Sequence, residues 1–338
     1  MSAFVPLRVR SHGSLLHGTA SPEALVQRAL ALGYAALALT DRDHVGLTVR
    51  FMLAARREGL RPLLGTEIAH PSGAALLLPV DRRGWAHLCE TLTRRHLDPG
   101  FDLATALAPR HAGLHVIVES PGLAASLARA GVPAAEGADA RRGGGRAGGL
   151  WLGLRGVPGE RARLGERAAA ARALGVPLVA TGDVVMLDPA DHEAHRVAVT
   201  AAAGELLERM PPSAFAAREA WLAPPAEWVR RVRAVCAAAG APEAAAPALA
   251  NNALLAGRCR LALETGTPIF PRAPRADGEP GPARLARLGR EGLRRRYVGD
   301  PRAARARLAE ELAIIERCGF TDYFLLVAGI VEFARARG

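Results

Sequence analysis

A run that reads as a buried strand, AALALT at residues 35–40, stands directly behind a segment with the marks of an amphipathic helix. That segment, SPEALVQRALALG, offers Ser21 as an N-cap, Pro22 at the first helical position, Leu25, Ala29 and Leu32 on one face, and Gly33 as a stop. The arrangement recurs. The helix-like VGLTVRFMLAARREG leads to RPLLG, and far downstream ERARLGERAAAARALG leads to VPLVATGD. Helix-then-strand units at such short spacing favour a parallel α/β architecture. Chemistry in such folds gathers at the carboxyl ends of strands, where TDRDH (40–44) and TGDVV (181–185) both fall.

The length of 338 residues suits one α/β barrel plus an appendage. No apolar run reaches the ~18–20 residues of a membrane span, and MSAFVPLRVRSHG lacks the apolar core of a signal peptide. A cytoplasmic protein with no membrane partner is expected. Cys89, Cys236, Cys259 and Cys318 stand singly, which argues against a zinc ribbon or a disulfide framework. The formal charge is +11, and every one of the 44 basic residues is Arg. Guanidinium forks suit phosphate, yet a chain heavy in Ala, Gly and Arg also follows from GC-rich coding. Charge of this kind speaks of non-specific partners rather than of fold.

Residues 131–149, GVPAAEGADARRGGGRAGG, have the composition of a flexible insertion in a barrel taken to span 1–203. From 204 to 270 the pattern turns helical, broken at Pro211, Pro212, Pro224, Pro225, Pro242 and Pro247, as in a helical connector. The region 271–338 begins Pro-rich and continues in basic helices. Asp300 and Pro301 open one helix in which Leu308, Leu312 and Ile315 share a face, closed by Gly319. The next, TDYFLLVAGIVEFARAR, is apolar almost all round and demands burial on several sides. Its natural neighbours are expected in a larger domain further along, leaving Phe324, Leu325 or Ile330 poorly covered here.

These residues carry a resemblance. The segment from ASPEALVQ to LLGTEI is similar to the start of the PHP (polymerase and histidinol phosphatase) domain of bacterial C-family DNA polymerases, the DNA polymerase III α subunit and its error-prone relatives. LVATGDVVMLDPADHEAH resembles a later segment of that domain, and EGLRRRY through RLAEELAIIERCGFTDYFLLVAGIVEFARARG resembles the entry to the polymerase palm. The likeness is weakest from 68 to 150. It implies a distorted parallel (β/α) barrel of PHP type, a helical connector, and the truncated α-helical start of a palm.

Active members of that family hold up to three metal ions at the barrel mouth. The matching positions here read Arg8 and Arg10 for two His, His17 for an Asp, Arg42 for a His, Glu67 for a Glu, and Asp183 with Val185 for an Asp and a His. Only His17, Glu67 and Asp183 keep a ligating group. A guanidinium has donors and no lone pair to offer, so Arg8, Arg10 and Arg42 repel a cation. No metal is therefore expected at this site. Carboxylates left together without a cation need compensating charge, and at least one of the three arginines is expected to pair with Glu67, Asp183 or Asp41 as a built-in counter-ion.

Plainer roles exist for the neighbouring residues. Asp41 suits an Asx turn or a helix cap, and His44 a solvated loop. His192 and His195, three apart, share a helical face but lack a third ligand; His111 and His115 read as surface residues. There is no GxSxG, no phosphate-binding P-loop and no GxGxxG opening a helix after a strand. Palm catalysis needs paired carboxylates on two metal ions, which the resemblance puts beyond this stretch, so no catalytic residue is expected here and Mg2+ belongs to the whole polymerase. Implied partners are DNA, the remainder of a polymerase, and other replication or repair subunits. Two other classes stay open: a metal-dependent PHP phosphoesterase or 3′–5′ exonuclease using His17, Glu67 and Asp183, and an Arg-rich anion- or DNA-binding interaction module.

Overall fold

A computed structural model describes residues 4–138, 148–266, 270–274, 278–297 and 302–338. Residues 139–147 of the proposed insertion, and Asp300 with Pro301, lie outside the described residues. The chain forms two compact units, 1–263 and 264–338.

The first unit begins as its sequence dictates. Helix α1 (Pro22–Ala31) is capped by Ser21, whose side chain accepts from the Ala24 N–H, and buries Leu25, Val26 and Ala29. Gly33 takes φ +78° and turns the chain into strand β1 (Ala36–Leu39). Helix α2 (Thr48–Arg57) then leads to β2 (Arg61–Leu64), which pairs in parallel with β1. A second sheet holds β3 (Thr66–Ile68), β4 (Ala75–Pro79), β5 (Leu114–Val118), β6 (Gly149–Leu154) and β7 (Leu178–Ala180), adjacent in that order. Between them lie α3 (Arg82–Leu97), α4 (Leu103–Leu107), α5 (Pro121–Arg129) and α6 (Arg161–Leu174).

The sheet is mixed, not parallel throughout. β4 runs antiparallel to both β3 and β5, whereas β5, β6 and β7 are parallel. The reason is connection length: only residues 69–74 separate β3 from β4, far short of the dozen or so a parallel crossover requires.

The N-terminal segment joins the two sheets. Pro6 and Val9 carbonyls accept from the N–H groups of Ala38 and Thr40, while Leu7 N–H donates to Thr181 and Val184 N–H to Arg8. On the other side β2 runs through Gly65 into β3, where a Cβ would meet the Leu77 carbonyl at 2.4 Å. Leu7, Ala38, Leu63, Leu78, Ile117, Trp151 and Val179, drawn from every one of these segments except β3, pack into one buried cluster.

Helices α7 (His192–Ala203), α8 (Pro225–Ala238) and α9 (Ala245–Arg258) complete the unit. Residues beyond 203 are integral to its core: Trp228, Val232 and Cys236 of α8 pack with Leu25, Phe51 and Leu154. Asn252 of α9 is fully buried, accepting from Val5 N–H and donating to the carbonyls of Val5 and Ala180. It ties α9 to both the N-terminal segment and β7.

The second unit contains α10 (Gly281–Arg296), α11 (Arg302–Arg317) and α12 (Thr321–Arg337). Leu308, Leu312 and Ile315 are half-buried on one side of α11. Of the residues expected to lack cover on α12, Phe324 and Ile330 are exposed together with Tyr323 and Phe333, whereas Leu325 is buried.

Candidate functional site: an arginine–carboxylate cluster

Strand ends bring the charged residues together. Arg8 and Arg10 alternate with inward-packed Leu7 and Val9; Glu67 lies in β3; Asp183 follows β7 by three residues. All four are nearly inaccessible, at 6%, 6%, 3% and 4% of full exposure. Arg8 Nε donates to Glu67 Oε2 at 2.6 Å, and Arg10 Nη2 reaches both Glu67 oxygens at 2.6 and 2.8 Å. Asp183 stands 3.8 Å from Arg8 Nε through Oδ1, which has no hydrogen-bond partner.

Two members of the cluster escaped the sequence reading. Glu119 follows β5 directly and accepts from Arg8 Nη1 at 2.6 Å. Arg155 follows β6 directly, grips both Glu119 oxygens at 2.6 Å, and extends Nη1 to Asp183 Oδ2 at 3.2 Å. Both lie at or just beyond the stretch where the resemblance is weakest, but a local signal existed. Each is the first charged residue after an apolar run, VIV before Glu119 and LGL before Arg155, which is where a buried strand delivers a side chain to a sheet end. The cluster thus sets Arg8, Arg10 and Arg155 against Glu67, Glu119 and Asp183, balanced in charge. A cavity of about 350 Å³ adjoins it, lined by Arg8, Glu67, Glu119, Arg155 and Arg167.

The electrostatics follow from this pairing. Burial raises the Glu67 carboxyl, but Arg10 and Arg8 outweigh it and hold the group far below the usual carboxylate range. Glu119 is lowered against its burial by Arg8 and Arg155, and Asp183 by Arg8, Arg155 and Arg10. Burial and then Arg10 push His17 down to about 3, leaving a neutral imidazole whose Nε2 lies 3.5 Å from Arg10 Nη1.

The remaining sequence candidates separate. Asp41 is buried but bonded locally: Oδ1 accepts from Ser11 N–H and Ser14 Oγ, and Oδ2 from Ser11 Oγ. It fixes the loop after β1 and meets none of the arginines. Arg42 was expected among the counter-ions, yet its side chain is exposed and makes no ion pair among the described residues. Alternation is the reason: Asp41 turns inward at the strand end, so its neighbour faces outward. His44 is half-buried against the Gly13 carbonyl. His195, fully buried, presents Nδ1–H to the His17 carbonyl and accepts Ala216 N–H at Nε2. His115, read as a surface residue, is fully buried on β5 and accepts from Trp151 Nε1–H. It sits inside the apolar run LHVIV, a position more telling than its polarity.

This donor set does not fit a metal ion. Both Glu67 oxygens and both Glu119 oxygens are occupied by guanidinium groups, and Asp183 shares Arg155 with Glu119. Among the described residues no group of three or more His, Cys, Asp or Glu is arranged to hold a metal.

Comparisons with known proteins place the chain itself. Residues 6–138 match the PHP domain family, and residues 283–338 match the family described as bacterial DNA polymerase III alpha NTPase domain. The chain belongs to the PHP-containing region of the C-family DNA polymerases. An error-prone DNA polymerase of Symbiobacterium thermophilum is 31% identical over 364 residues, covering 99% of this chain and 32% of that protein. Another, from Pseudomonas paraeruginosa, is 34% identical over 346 residues, covering 99% of this chain and 31% of that protein. The chain therefore spans about a third of the length of the polymerases it matches. Among solved structures, an amidohydrolase from Chromobacterium violaceum aligns over 54% of this chain and 88% of its own, at 15% identity and a TM-score of 0.36. No helix among the described residues is long and apolar enough to cross a membrane.

Proposed function

We propose that this PHP region is a metal-independent structural scaffold within a C-family DNA-directed DNA polymerase acting in replication or translesion synthesis. In this reading the two sheets and the N-terminal segment make a distorted (β/α) barrel of PHP type, and 264–338 begins the palm. The observation that carries it is the double engagement of Glu67 by Arg8 and Arg10, which puts fixed positive charge where ligands to cations would be needed. His17, Glu67 and Asp183 are then remnants rather than ligands. The 1–338 chain neither polymerises DNA nor hydrolyses phosphoesters; Mg2+ serves the whole polymerase, whose partners are DNA and further replication or repair subunits in the cytoplasm.

Metal analysis of the purified chain, combined with assays on an aryl phosphodiester and on single-stranded DNA with added Mn2+, Mg2+ or Zn2+, tests the reading. Sub-stoichiometric metal and no hydrolysis are expected. Stoichiometric metal with hydrolysis abolished by Asp183→Asn would establish the phosphoesterase or exonuclease instead.

A further inference from the structure

Arg42, which stands outside the charged cluster, lines a cleft of its own. The cleft, about 530 Å³, opens between the 11–18 loop, the loop after β1, the end of α3 and one side of α7. Leu15, Leu16, Val199, Ala202 and Ala214 give it apolar surface. Its formally charged residues are Arg42 and Asp43. Asp43 is already engaged: Oδ1 accepts from the Ala69 N–H and Oδ2 lies 3.6 Å from Arg95 Nη2. Arg42 is exposed and has no ion pair among the described residues, so it is the one uncompensated charge on the lining.

The walls are tied to one another. His44 Nε2–H donates to the Gly13 carbonyl while its Nδ1 accepts the Gly46 N–H, and His96 Nε2–H donates to the Asp43 carbonyl. Ser14 Oγ accepts the Arg42 N–H, and His195 joins the His17 carbonyl to the Ala216 N–H. The 11–18 loop closes so tightly that a Cβ on Gly18 would meet the Ser11 carbonyl oxygen at 1.9 Å. Within it Leu16 takes φ +56°, a left-handed conformation that a leucine rarely adopts. Leu15 and Leu16 are left 83% and 51% exposed. Two leucines held outward on a strained turn, beside one unpaired guanidinium in a preformed cleft, complement a ligand with one negative end and an apolar body. One guanidinium balances one charge, and its fork matches a carboxylate.

We propose that this cleft binds an aliphatic monocarboxylate, its head on Arg42 and its chain along Leu15, Leu16 and Val199. Arg8, Glu67 and Asp183 do not line it, and EDTA in every titration makes the outcome independent of whether the PHP cluster takes metal. Isothermal titration calorimetry of the 1–338 chain with octanoate tests it. The variants are Arg42→Ala and the wall double Leu15→Ser/Leu16→Asn, with Arg57→Ala as a charge control and Ile330→Glu/Phe333→Glu as a control for the apolar stripe of α12. All replace exposed side chains, and circular dichroism checks that they fold. Saturable binding is expected, weakened about tenfold or more by Arg42→Ala and about fivefold or more by the wall double, with both controls within about twofold of wild type. Octan-1-ol, which keeps the chain and lacks the charge, binds about tenfold or more weakly than octanoate. No binding by the wild type, undiminished binding by Arg42→Ala, or equal losses in the controls overturn the proposal. So does competition by acetate or inorganic phosphate as effective as that of octanoate, which marks a small-anion site, or tighter binding of acetyl-Leu-Leu-Leu, which marks a site for a peptide carboxyl terminus.

Discussion

Arg10 meets Glu67 through a single nitrogen, Nη2, which lies within 2.8 Å of both carboxylate oxygens while Arg8 Nε holds one of those oxygens from another direction. One carboxylate thus neutralises the approach of two buried guanidinium groups. Removing it strands Arg10 and leaves Arg8 only Glu119 and the more distant Asp183. Breaking a buried pair by deleting one partner costs ~3–5 kcal/mol, and Glu67→Ala is expected to fall at or above that range in urea unfolding. Arg42→Ala, on an exposed and unpaired side chain, is expected to stay within ~0.5 kcal/mol of wild type.

Acidification has a definite direction. Lowered carboxylates such as Glu67, Glu119 and Asp183 stabilise the fold fully above their unfolded values near pH ~4 and lose that contribution as pH falls through the folded values. His115 adds a window at higher pH. Burial pushes it down to about 3, so it stays neutral in the fold while the unfolded chain takes up a proton below pH ~6.5, and stability declines from there downward. Urea midpoints at pH 7.5 and 5.0 are expected to drop for wild type and to differ less for His115→Gln, which keeps an acceptor for Trp151.

Asn252 makes three hydrogen bonds to the backbone of Val5 and Ala180. Leu at this position fills the space and satisfies none of them. Each buried polar group left alone costs ~1–3 kcal/mol, so Asn252→Leu is expected to destabilise the first unit by at least ~3 kcal/mol in denaturant unfolding.

The second unit exposes Tyr323, Phe324, Val327, Ile330 and Phe333 on α12. Contiguous apolar surface of this kind drives association. Sedimentation velocity of the 1–338 chain is expected to show concentration-dependent self-association that Ile330→Glu/Phe333→Glu reduces. A strictly monomeric wild type at high concentration would speak against it.

Much of this arrangement was legible in the chain because strand ends announce themselves. Strand-end placement pointed to Asp183 and the family resemblance supplied Glu67, whereas the rule that a charged residue follows an apolar run, applied between 68 and 155, would have located Glu119 and Arg155. Side-chain direction was harder. Whether Arg42 joined the cluster depended on the alternation set by Asp41, whose inward turn is fixed by Ser11 and Ser14 about thirty residues earlier. The antiparallel β4 was hidden for a similar reason, since periodicity identifies a strand without giving its direction. The helices after 203 looked like a connector because Pro breaks are visible locally, whereas the burial of Trp228 against Leu25 and Phe51 is not.

In the function proposed above, guanidinium groups hold this PHP cluster together in place of metal ions. The melting temperature of the 1–338 chain, measured with excess EDTA and again with Mn2+ or Zn2+, addresses it most directly. Midpoints equal within about 1 °C are expected. An ion held at a hundred times its Kd adds ~2.7 kcal/mol, so a fall of several degrees on chelation, or an equal rise on adding metal, contradicts it.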